Sequence, residues 1–78
     1  MKREEALSLL EAEGLTHYSF FKGKGEPGDT VIRFIYGKYL VGQNDADGHP
    51  IRRFTKIYKT ESEALSDFTG RMMSKPSK

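Results

Sequence analysis

The chain predicts an α+β fold: an antiparallel β-meander of three to four strands flanked by an N-terminal and a C-terminal helix, in the order α-β-β-β-β-α. Three features lead there. Ala6, Leu7 and Leu10 recur at helical spacing before Gly14. Thr30 to Tyr36 is the clearest strand, and Thr60-Glu61-Ser62-Glu63 opens an apolar stripe with a capping box.

The first helix is predicted over residues 3–13. Glu4 and Glu5 lie near its positive end, and Gly14 offers the left-handed residue that ends a helix. Leu15 then follows where a Schellman ending places an apolar contact back to Leu10. His17-Tyr18-Ser19-Phe20-Phe21-Lys22 is short and aromatic and reads as a strand. Its successor, Gly23-Lys24-Gly25-Glu26-Pro27-Gly28-Asp29, is a loop by its glycines and proline and is a contact element if it is mobile.

From Thr30 to Tyr36, Thr30, Ile32, Phe34 and Tyr36 share one face, and Val31, Arg33 and Ile35 the other. Gly37-Lys38 suits a two-residue type II′ turn, which would pair Tyr36 with Tyr39, Ile35 with Leu40 and Phe34 with Val41. Both hairpin faces then carry apolar groups. Val31, Ile35 and Leu40, with Arg33 among them, are therefore either covered by a helix or left as an exposed patch that would serve as an interface. Asn44-Asp45-Ala46-Asp47-Gly48-His49-Pro50 supplies the next turn, and Ile51 to Lys59 reads as the returning strand. Two registers fit that strand, one burying Phe54 with Tyr58, the other Ile51 with Ile57, and the first is preferred here. Thr60 and Glu63 cap the last helix, whose stripe is Ala64, Leu65, Phe68 and Met72. Gly70 weakens its final turns, and residues 74–78 read as a flexible tail.

At 78 residues the chain has room for one core, so residues 1–73 are expected to form a single domain. There is no cysteine to staple it, and His17 and His49 are too few to build a zinc site. Five Phe and four Tyr supply the area a small core needs. The basic start, Met1-Lys2-Arg3, is followed at once by acids rather than an apolar run, so a cytoplasmic, membrane-free location is the expectation.

Asp45-Ala46-Asp47-Gly48 has the look of part of a calcium loop, but Gln43 and Phe54 fall where ligands are required, so it reads as a turn. The 23–30 segment lacks the spacing and the following helix of a phosphate loop. Neither histidine has a neighbouring nucleophile in sequence, so no catalytic residue, metal or cofactor is assigned and the protein is expected not to be an enzyme.

The net charge is +2, and its placement is more informative than its size. Residues 1–14 are acidic, whereas residues 22–59 carry eight Lys and Arg against four carboxylates. Within that middle, basic and aromatic residues interleave from Arg52 and Arg53 through Phe54, Lys56 and Tyr58 to Lys59. Surfaces of this kind contact protein partners or enter DNA grooves. Lys24, Arg33, Lys38, Arg52, Arg53 and Lys56 are the partner-binding candidates.

Two resemblances sharpen the choice. Glu11-Ala12-Glu13-Gly14-Leu15 with Tyr18-Ser19, then a sheet, then Thr60-Glu61-Ser62-Glu63-Ala64-Leu65-Ser66-Asp67-Phe68, resembles small immunity proteins of bacterial polymorphic toxin systems. That resemblance implies a non-enzymatic inhibitor that neutralises a toxin; a phage-encoded inhibitor of a host defence complex would share its physics. Over residues 36–69, Tyr39-Leu40-Val41, Asp45-Ala46-Asp47-Gly48 and Tyr58-Lys59-Thr60-Glu61-Ser62-Glu63-Ala64 are similar to the AP2-like arm-binding domains of phage integrases. The second resemblance implies sequence-specific DNA binding through Arg52, Arg53 and Lys56. A protein partner is the favoured expectation and DNA the alternative, with no small-molecule substrate.

Overall fold

Leu10, Gly14 and Leu15 stop the first helix as their spacing predicts. In the computed structural model, which describes residues 1–74, α1 runs Arg3–Ala12. Leu15 N–H donates to Leu10 O (3.0 Å) and Gly14 N–H to Glu11 O (3.1 Å), with Gly14 at φ 65°. These are the two bonds of a Schellman ending, and Leu15 closes back onto the core.

The remaining elements are β1 (Tyr18–Phe20), β2 (Thr30–Ile35), β3 (Lys38–Gln43), β4 (Lys56–Tyr58) and α2 (Glu61–Met73). They form an α+β fold with one four-stranded sheet in the order β1-β2-β3-β4. Thr60 caps α2, its Oγ1 accepting from Glu63 N–H (3.3 Å) and donating to Glu63 Oε1 (3.0 Å). The predicted stripe is the observed one: Ala64, Leu65, Phe68 and Met72 meet Ile32 and Val41, with Ala6 and Leu10 of α1 completing the cluster. α1 leans on α2, and α2 lies across β2, β3 and β4. Tyr18 and Phe20 add their rings around Phe68 at 6.1 and 5.9 Å.

Three expectations are corrected. The sheet is mixed, because β1 pairs with β2 in parallel. Alternation marks a strand's faces but not its direction, and the 21–29 segment carries the chain back to enter β2 alongside β1. Left-handed residues His17 (φ 63°) and Phe21 (φ 58°) bracket β1 and keep it short.

The hairpin turn is Tyr36-Gly37 rather than Gly37-Lys38, with both residues at positive φ (51° and 76°) as type I′ requires. Ile32 therefore faces Val41, Arg33 faces Leu40 and Phe34 faces Tyr39. The predicted register would have set Ile32 against Gln43. Pairing two fully buried aliphatics is worth roughly 1.5–3 kcal/mol per side chain, more than the about 1–2 kcal/mol of a left-handed Tyr36.

The long 51–59 strand is the third correction. Asn44 bridges Pro50, Ile51 N–H donates to Gln43 O (2.8 Å), and the chain then leaves the ladder as a single 3₁₀ turn at Arg52–Phe54 before β4. Pro50 has no N–H to continue the pairing. Phe54 consequently is not inward but 39 % exposed, while Tyr58 turns to the core and Ile57 is 53 % exposed. Of the expected 74–78 tail, Ser74 ends α2, its N–H donating to Gly70 O (3.1 Å), and 75–78 lie outside the described residues.

Asp67 ties β4 and the 3₁₀ turn to α2. It accepts from Tyr58 OH (2.6 Å) and pairs with Arg71 (2.8 Å), whose Nη1 donates to Phe54 O (2.6 Å). At the other end, Arg3 pairs with Glu61 (3.1 Å) and stacks over Phe21 at 3.7 Å, clasping the helix N-termini together.

Two consequences can be measured. A Cβ at Gly14 meets nothing within 4 Å, so Gly14→Val should lose about 1 kcal/mol or more through its dihedral alone; an unchanged urea midpoint would remove the Schellman stop. The Asp67 hydrogen bond, then burial, raises the Tyr58 pKa above the tyrosine value of 10.0. A raised acid pKa holds stability in full below pH 10 and loses it as pH climbs through the folded value. Tyr39 is raised too, by burial first and Glu61 next, so Tyr58→Phe should flatten part of that alkaline decline. Superimposable pH–stability curves for the two proteins would contradict this role for the Tyr58 hydrogen bond.

Candidate binding groove on the helix-free sheet face

Strand alternation puts Ile32 and Val41 under the helices and turns Val31, Arg33, Leu40 and Gly42 the other way. Among the described residues no α-helix lies on that second face. Instead a groove of about 450 Å³ opens there, floored by Val31, Leu40 and Gly42 and bordered by Lys24, Arg33, His49, Arg52 and Thr55. The size falls within the roughly 300–1,000 Å³ of ligand sites.

Glycine at 42 shapes the floor. A Cβ there would come 3.2 Å from Thr55 Oγ1, so the missing side chain lets the segment after the 3₁₀ turn close in. Thr55 Oγ1 in turn donates to Ile51 O (3.0 Å), holding the turn's shape.

Two loops form the walls, and one side chain locks them. Asn44, only 8 % exposed, donates through Nδ2 to Lys24 O (2.9 Å) and Glu26 O (3.0 Å). Its own N–H donates to Asp29 O (2.8 Å), and Gly28 N–H to Asp45 O (3.0 Å). Buried Asp29 closes the 23–29 loop by accepting from Glu26 N–H (2.8 Å), and Gly25 lies close against Val31. The loop expected to be a mobile contact element is thus pinned to the 44–50 turn.

The six candidate cations separate. Lys24, Arg33 and Arg52 border the groove, and none of the six is ion-paired among the described residues. Arg33 is half-buried, a setting in which an arginine without a counter-ion invites an anion from outside. Lys38 sits beside the hairpin tip, and Arg53 lies over the Phe54 ring at 5.1 Å. Lys56 pairs with Val41 and so falls on the helix side of the sheet. His49, Gly42 and Asn44 are groove residues that no motif in the chain singles out; the one available signal is that Asn44 opens a polar turn directly after a strand.

Asp45, Asp47 and His49 come within 4.8 Å of one another. Their geometry is that of the turn: Asp45 Oδ1 accepts from Asp47 N–H and His49 N–H (both 2.9 Å). The backbone hydrogen bond from His49 is the largest cause of the lowered Asp45 pKa. Aromatic residues gather instead at the hairpin end, where Tyr36 is 97 % and Phe34 55 % exposed, Phe34 lying 4.8 Å from Tyr39.

No helix among the described residues is long and apolar enough to cross a membrane. No protein-family model matches the chain, and no curated protein or solved structure matches it either.

Asn44→Ala should cost roughly 1–3 kcal/mol, since it orphans two carbonyls and unlocks both walls. Hydrogen exchange of the 23–29 amides should accelerate more than that of β2; uniform acceleration would mean that Asn44 supports the fold as a whole rather than the groove.

Proposed function

We propose that this is a non-enzymatic binding protein of the inhibitor or immunity type, which captures a protein partner on the helix-free face of its sheet. The observation that carries the reading is the half-buried Leu40, seated beside buried Val31 and bordered by the unpaired Lys24, Arg33 and Arg52. Protein interfaces combine apolar centres with arginine in this way. The layout resemblance to toxin immunity proteins points in the same direction.

DNA binding of the AP2-like kind receives less support. It asks for Arg52, Arg53 and Lys56 side by side on one strand, whereas the first two lie on a 3₁₀ turn and Lys56 on the opposite sheet face. An apolar floor also offers little to a phosphate backbone.

The test immobilises the protein in a lysate of the organism that encodes it. Wild type should retain a protein that Leu40→Lys, and separately Arg52→Glu with Arg53→Glu, lose about tenfold or more, both variants still melting cooperatively. Equal retention by Leu40→Lys would place the contact elsewhere. Retention of duplex DNA instead, with log affinity falling steeply and linearly in log salt, would replace this reading by nucleic-acid binding.

A further inference from the structure

Resting on the reading that the helix-free face is the contact surface, we infer that the groove takes a short acidic segment of the partner protein, with one apolar side chain on the floor and carboxylates on either side of it.

The lining defines both halves of that ligand. Among the described residues no carboxylate lines the groove, while Lys24, Arg33 and Arg52 reach it from three different elements: the 23–29 loop, β2 and the 3₁₀ turn. Cations on separate walls suit several carboxylates spaced along a segment better than one compact anion. Arginine adds directional, two-pronged recognition of a carboxylate. Between these cations the accessible part of the floor is Leu40, half-buried beside the buried Val31 and Gly42, and an aliphatic at that place favours an apolar group.

The floor is also preformed. Arg33, Leu40 and Ile57 stand opposite one another across β2, β3 and β4, and Asn44 fixes both walls before any partner arrives. A segment entering the groove then loses only its own freedom, because the site has little left to order.

Backbone amide NMR of the full chain tests this with capped peptides as probes. Acetyl-Glu-Asp-Leu-Asp-Glu-amide should shift the amides of Val31, Arg33, Leu40, Gly42 and Arg52. Replacing its leucine by glycine should weaken binding about tenfold or more, through lost apolar burial. Arg33→Glu should weaken it by a similar factor, and Arg52→Glu, on an exposed turn, repeats the test should Arg33→Glu misfold. Shifts mapping to another surface, no shifts at all, equal binding of the glycine peptide, or equal binding of an all-lysine analogue or of duplex DNA in the groove would each overturn the proposal. If groove variants lose the retained protein yet the acidic peptide leaves the spectrum unmoved, the acidic occupant is wrong while the contact surface stands. If the peptide binds in the groove but the retained protein ignores groove variants, the groove is an acidic-segment site and the partner-capture surface is elsewhere.

Discussion

Everything in this molecule leans on one contact, the stripe of Leu65, Phe68 and Met72 laid over Ile32 and Val41. A chain of this size has neither disulfides nor a second core to fall back on. Truncating a buried aromatic such as Phe68 in a core of this kind costs about 3–5 kcal/mol, a large part of the 5–15 kcal/mol that stabilises ordinary domains. With α1 propped on α2 and adding Ala6 and Leu10 to that same cluster, neither helix is left to cover the far side of the sheet.

That economy produces the groove. Val31 is covered by the 23–29 loop, whereas Leu40 is only partly covered and its cross-strand neighbour Ile57 is exposed, so aliphatic surface remains in contact with water between two walls. A free sheet face normally carries polar side chains. Here it carries aliphatics with a half-buried arginine in their midst, and the cationic middle of the chain supplies the borders. Asn44 makes the arrangement rigid by satisfying carbonyls of one loop from the first residue of the other.

Much of this was legible in the chain. The Schellman stop at Gly14, Thr60 as the N-cap of α2 and the stripe of α2 are local rules, each written within a few residues, and each is observed; of the capping box only the Thr60 half forms, Glu63 turning its carboxylate to the Thr60 hydroxyl. The two faces of β2 also follow from alternation alone. The hairpin turn was misplaced because Gly37 fits two turn types equally well, and only the pairing of Ile32 with Val41 chooses between them. Lys56 and Arg53 were grouped with Arg52 because they adjoin it in sequence; the 3₁₀ turn that parts them depends on Pro50 and on the empty space at Gly42 across the sheet.

The residues by themselves determined where helices begin and end, which of the α2 side chains seek the core and that the middle of the chain is cationic, because those properties act over a turn or a strand length. Tertiary structure decided the parallel pairing of β1, the register of the hairpin, the fate of the 51–59 segment and which three cations share a border. Those outcomes depend on contacts between segments far apart in the chain, where packing energies of a few kcal/mol outweigh local preferences of about one.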